Sequence, residues 1–156
     1  MGLAKEPTYE STQKIYAYPP LWVNPIDGII TSLGGYRYSP ITGYREFHDG
    51  VDIAAPVGTP IVAPRDGTVV TVRESATFGL TLRISHPDGY TSFMAHLDRI
   101  IVEEGDDVLQ GEMVAYSGNT GRSTGPHLHY GIFLDGEFRD PIYYIDLPKS
   151  DRLMAP

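Results

Sequence analysis

Apolar residues in this chain recur in short runs that glycine and proline cut apart. In "LTLRISHPDGYTSFMAHL", Leu80, Leu82 and Ile84 alternate with other residues, a Pro87-Asp88-Gly89 turn follows, and a second run returns. Alternation with period two puts one set of side chains on one face, so the segment predicts a β-hairpin. "GIITSLGG" predicts a short strand ending in glycines. "GVDIAAP" and "TPIVAPRDGTVVTVRE" predict strands broken by Pro56, Pro60 and Pro64. "GEMVAYSG" predicts another strand, and "HLHYGIFLDGEFRDP" a strand, an Asp135-Gly136 turn and a strand again. No run keeps a helical spacing beyond a turn or two. The pattern predicts an all-β fold, with antiparallel sheets forming a sandwich-like single domain with few or no helices.

The ends differ from the middle. Residues 1–22 are polar, then Pro/Tyr-rich, closing on "YAYPPLW". They read as an N-terminal arm or linker, disordered up to about Lys14. Ile15 to Trp22 carries aromatic surface able to pack on the domain. Residues 23–147 form the domain and 148–156 a C-terminal tail.

Composition narrows the function. At 156 residues and 41% hydrophobic, the chain suits one domain with a real core. Its 17 Gly and 13 Pro agree with many short strands. Twelve basic against 20 acidic residues give a net charge of −8. No basic stripe interrupts that balance, so nucleic acid is not an expected partner. The absence of cysteine excludes disulfides, thiolate zinc sites and a cysteine nucleophile. No run approaches the roughly 20 apolar residues of a membrane helix. "MGLAKEPTYESTQK" lacks the apolar core of a secretory signal.

The candidate chemistry lies in the histidines. In "HDGVD", His48 and Asp52 stand four apart with Gly50 between them and prolines soon after, which argues against a helix. In an extended segment, positions i and i+4 share a face, so the two side chains can converge. In "HLH", His127 and His129 share a face while Leu128 points to the core. In "FMAHLDR", Phe93, Ala95 and Leu97 alternate with Met94, His96 and Asp98, so His96 is expected opposite the more apolar set. His86 precedes the Pro-Asp-Gly turn and is expected to be a solvent-exposed turn residue. Each piece alone has a structural reading, as a polar turn or an exposed strand histidine. Together, His48, Asp52 and one or both of His127 and His129 make a His/His/Asp set. Three such ligands leave zinc a fourth position for water, the catalytic arrangement. Spacing leaves open which histidine of the pair binds.

"SGNTGRSTGP" places Gly118, Gly121 and Gly125 just before "HLH", a loop able to pass close to a ligand. It lacks the lysine and following helix of a phosphate loop. The acidic run "VEEGDDVLQGEMV" lacks EF-hand spacing and reads as a solvated turn between strands.

These segments together resemble the lysostaphin/LytM-type zinc peptidases, enzymes that cut peptide bonds in bacterial peptidoglycan. The resemblance rests on "GGYRYSPITGYREFHDGVDIAAPVGTPIVAPRDGTVV", "GYTSFMAHL", "VEEGDDVLQGEMVAYSGNTGRSTGPHLHYGIFLDG" and the closing "DP", from about Pro25 to about Ile145. It implies one catalytic Zn2+ held by His48, Asp52 and His129, with His96 and His127 catalytic beside it. It also implies a groove over an antiparallel sheet, walled by glycine-containing loops. The implied reaction is hydrolysis of stem-peptide crosslinks with zinc-activated water as nucleophile, outside the cytoplasm (periplasmic or extracellular), by a monomer. A direct D-Ala-to-diamino-acid crosslink is expected rather than a glycine bridge, since no wall-targeting module is appended. Met94 departs from the family, which often has Tyr there.

Two rival readings differ in class. One is a non-hydrolytic LytM-like domain that binds cell wall or activates an amidase; some such domains have lost zinc ligands, whereas all five positions are filled here. The other is a carrier domain. "EGDDVLQGEMV" resembles biotinyl and lipoyl domains, but the Pro-Asp-Gly and Asp-Gly turns carry no lysine. A histidine phosphocarrier would not need Asp52.

Overall fold

A computed structural model of the protein describes residues 22–154. Its strands are β1 (Ile29–Ser32), β2 (Gly35–Tyr38), β3 (Arg45–His48), β4 (Val51–Ala54), β5 (Pro60–Val62), β6 (Gly67–Ser75), β7 (Gly79–Ser85), β8 (Tyr90–Ile100), β9 (Asp107–Val108), β10 (Met113–Ser117), β11 (His127–Leu134) and β12 (Glu137–Arg139). A short α-helix, α1 (Asp151–Met154), follows, and single 3-10 turns lie at Pro87–Gly89 and Pro141–Tyr143. Ten strands form one antiparallel sheet. Its main path runs β1-β4-β11-β8-β7-β6-β9, with β10 pairing β8 and β5, and β12 pairing β11. The β2-β3 hairpin stands apart as a two-stranded sheet.

The predicted strands fall in β1, β4 to β8 and β10 to β12. Asp135 and Gly136 both take positive φ, 50° and 84°, as the two-residue turn between β11 and β12 requires. Val51 and Ile53 of β4, Leu82 and Ile84 of β7, Met94 and Leu97 of β8, and Leu128, Tyr130 and Ile132 of β11 meet in one core. On β11 the period-two argument holds: Leu128 is fully buried there, while His127 and His129 line the groove on the other side.

Two expectations need correction. Alternation along β8 breaks at His96. Between Leu80↔Leu97 and Leu82↔Met94, β7 advances two residues while β8 advances three. The extra residue is a bulge, and His96 takes φ 61° in it. Met94 and Leu97, expected on opposite faces, are therefore both in the core. His86, expected in solvent, is buried at 6% exposure. Its Nδ1–H donates to the Asp66 carbonyl (2.9 Å), and its Nε2 accepts from Ser92 Oγ (2.8 Å). The Trp22 ring packs edge-on against it at 5.2 Å.

Trp22 also meets Tyr90 and Tyr144, so this residue of the expected arm is packed on the domain. The rest of that arm lies outside the described residues. At the other end, Ile30 N–H donates to Pro148 O and Ser150 N–H to Ile30 O, and Leu153 packs on the core. The β2-β3 hairpin was not expected from the sequence. Its large residues Tyr36, Tyr38 and Phe47 are exposed, and its other face carries the polar Arg37, Glu46 and His48, so it shows no buried apolar face.

Candidate metal centre

Strand register brings the first pair together. In the pairing of β4 with β11, His129 lies opposite Asp52. His48 ends β3, and the Asp49–Gly50 link carries the chain into β4. A Cβ on Gly50 would lie 2.6 Å from the Tyr130 carbonyl oxygen and 2.8 Å from His129 Nε2, so only glycine lets this link cross β11. His48 Nε2 comes to 3.1 Å from Asp52 Oδ1, and His129 Nδ1 to 3.5 Å from the same oxygen. One ligating atom from each of the three lies within 4.8 Å of the others. Tetrahedral zinc with bonds of 2.0–2.2 Å sets its ligand atoms roughly 3.3 Å apart, so the spacing fits.

The ring orientations suit a cation. His48 Nδ1 lies 2.9 Å from the Leu33 carbonyl, which can only accept. That nitrogen therefore carries a ring proton, which leaves Nε2 to face Asp52 Oδ1: it donates a hydrogen bond when it too carries a proton and offers its lone pair when a metal is bound. Burial would raise the Asp52 pKa, but His129 and His48 outweigh it and hold the carboxyl far below its ordinary range. Burial would lower His129, yet Asp49 and Asp52 raise it above the ordinary value. Asp49 is lowered chiefly by His129, against its own burial.

Arg37 of β2 fixes which carboxylate oxygen is free. Its Nε bonds Glu46 Oε2 (2.9 Å) and its Nη1 bonds Ser32 Oγ (2.6 Å). Nη1 also stands 3.6 Å from Asp52 Oδ2, leaving Oδ1 to face the histidines.

Two further histidines border this set. His96 and His127 have ring centroids 4.9 Å apart. His96 Nδ1–H donates to the Thr120 carbonyl (2.6 Å), and His127 Nδ1–H to the Gly125 carbonyl (2.8 Å). Each neutral ring thus keeps Nε2 as an acceptor. Burial lowers the His96 pKa, which favours that neutral form. His127 Nε2 lies 3.5 Å from Asp52 Oδ1. The left-handed backbone at His96 costs about 1–2 kcal/mol and is retained beside the groove.

The histidines lie in a cavity of about 230 Å³. Arg37, Ile41 and Phe47 of the β2-β3 hairpin form one wall; Phe78 and Arg122 stand on facing loops. Sequence reasoning missed the hairpin wall and Arg37. The available signal was the Tyr36/Tyr38 alternation before a Pro40-to-Gly43 turn. Two of the glycines before "HLH" lie against the chain's own backbone, and the loop they belong to borders the groove through Arg122 and Thr124. Gly121 packs on Gly79, and a Cβ on Gly118 would lie 2.6 Å from Asp98 N, so both allow close approach to the chain's own backbone. The acidic run forms exposed turns around β9 in which Asp106 and Glu104 accept backbone N–H groups.

The model of peptidase family M23 matches residues 46–141. The peptidoglycan DD-endopeptidase ShyA of Vibrio cholerae is 38% identical over 115 residues, covering 72% of this chain and 27% of that protein. The crystal structure of a zinc-containing peptidase from Vibrio cholerae superposes with a TM-score of 0.69 at 36% identity, covering 80% of this chain and 40% of that one. The catalytic domain of lysostaphin from Staphylococcus simulans gives 0.64 at 31% identity, over 72% of this chain and 87% of that one. The chain spans between 25 and 29% of the length of the curated relatives it matches.

Proposed function

This chain belongs to peptidase family M23, and on that footing we propose that it is a zinc-dependent endopeptidase hydrolysing stem-peptide crosslinks of bacterial peptidoglycan. The observation that carries this reading is the His48 Nε2 to Asp52 Oδ1 contact at 3.1 Å, with the ring proton held on the far nitrogen. His48 through Nε2, Asp52 through Oδ1 and His129 through Nδ1 would hold the metal. Zinc, when bound, acts as a Lewis acid that polarises a carbonyl and makes water nucleophilic near neutral pH.

The protein's own groups handle the proton. His96 or His127 accepts a proton from the attacking water at Nε2. The same nitrogen then donates it to the departing amine, so the products are a carboxylate and an amine. While protonated, either ring also stabilises the tetrahedral oxyanion. The carbonyls of Thr120 and Gly125 hold both rings with Nε2 toward the groove.

The DD-endopeptidase name of the Vibrio cholerae relative supports a D-Ala-to-diamino-acid crosslink as the bond cut. Such a substrate places the enzyme in the periplasm or outside the cell. No helix among the described residues is long and apolar enough to cross a membrane. The buried Trp22 and the bonded 148–150 segment support a catalytic unit drawn slightly wider than residues 23–147.

The test is a digest of diaminopimelate-type peptidoglycan by the zinc-loaded chain, read by mass spectrometry. Crosslinked dimers should fall to monomers, and chelator should stop the reaction. Intact dimers with zinc bound would overturn the reading.

A further inference from the structure

The four groove histidines differ in what stands behind them. His48, His96 and His127 each give the outer nitrogen to a backbone carbonyl, of Leu33, Thr120 and Gly125. His129 has no carbonyl. Its Nε2 is buried and makes no hydrogen bond. The group behind it is a carboxylate, with Asp49 Oδ1 at 3.4 Å. That separation is longer than a formed N–H···O bond.

We propose that Asp49 is a positioning residue for the metal: its carboxylate accepts the Nε2–H of His129 when Nδ1 binds zinc. This rests on the zinc reading above. With metal on Nδ1, the ring proton must sit on Nε2, where a buried donor needs an acceptor. Asp49 is held in reach by its neighbours. Gly50 lies against the His129 ring, and a Cβ on Gly131 would be 2.8 Å from the Asp49 carbonyl oxygen. Asp49 itself is 45% exposed and stands on the far side of the ring from the Asp52 contact, so it acts through His129 rather than on the metal. An anionic acceptor makes the imidazole a stronger donor and fixes its orientation, a contribution typically worth 10- to 100-fold in metal affinity.

The experiment is zinc titration of the 156-residue chain against a fluorescent chelator, for wild type, Asp49→Ala and Asp49→Asn. The apo-protein melting curves are recorded alongside. Asp49→Ala should weaken zinc about 10- to 100-fold. Asp49→Asn, which keeps a neutral acceptor, should fall between it and wild type. The apo melting curves measure what the Asp49–His129 contact contributes to stability without metal, so that zinc affinities are compared at known stability, and the cobalt-loaded proteins should differ in their visible bands. Equal zinc affinity in wild type and Asp49→Ala overturns the role of Asp49. A wild type that binds no zinc overturns the reading beneath it.

Discussion

His96 and His127 face each other with ring centroids 4.9 Å apart, each tied through Nδ1 to a carbonyl of the loop that spans residues 118–126. One loop therefore orients both of the rings proposed to handle the proton. Replacing either by alanine should cut turnover by about 10²- to 10⁴-fold while the zinc content stays at one per chain. Turnover of a crosslinked muropeptide dimer and metal analysis of the same samples check this. Lost zinc in His127→Ala would make it a ligand instead.

Arg37 should matter through Asp52 rather than through the substrate alone. Its Nη1 lies 3.6 Å from Oδ2, steadied by Glu46 and Ser32. Arg37→Ala frees that oxygen to rotate. The expected result is zinc affinity weaker by about tenfold, with Arg37→Lys between the two. Chelator competition measures it; unchanged affinity would leave Arg37 as part of the groove wall only.

Gly50→Ala tests the crossing of β11. The added Cβ would meet the Tyr130 carbonyl at 2.6 Å and His129 Nε2 at 2.8 Å, so backbone must move. A loss of about 1–3 kcal/mol in stability is expected, together with weaker zinc binding. Urea unfolding with and without zinc reads both effects, and wild-type values in both would refute the packing argument.

His86 should leave a signature in the pH dependence of stability. Burial holds its folded pKa below the ordinary 6.5, with Arg65 adding to the effect. Below about pH 6.5 the unfolded chain therefore binds a proton that the folded chain refuses. The contribution is fully present above that pH and is lost as pH falls beneath it. His86→Asn should flatten the slope of stability against pH between about 5 and 7, the other histidines acting equally in both proteins. Parallel curves for wild type and variant would show that His86 does not titrate this way.

Much of the fold and site was legible because strand periodicity is a strong signal where one face is buried. "LTLRIS" and "HLHYGIF" each show it, and the latter put His127 and His129 on one side of Leu128. The signal failed where backbone geometry or distant contacts decide. The bulge at His96 resets the alternation of β8, and no residue type in "FMAHLDR" announces it. His86 sits beside a turn signal, yet Trp22, 64 positions earlier in the chain, covers it. The β2-β3 hairpin offers solvent its aromatic side chains, so a search for buried faces passes over it. Arg37 has no motif. Its importance comes from where that hairpin sets it, next to Asp52.

The most direct measurement uses a purified crosslinked muropeptide dimer, digested by the zinc-loaded chain in ¹⁸O-labelled water and sequenced by tandem mass spectrometry. One heavy oxygen is expected in the carboxylate newly formed on the D-Ala of the donor stem, with a free amine on the diamino acid. No cleavage by a protein with zinc bound, or cleavage that leaves the crosslink intact, would contradict it.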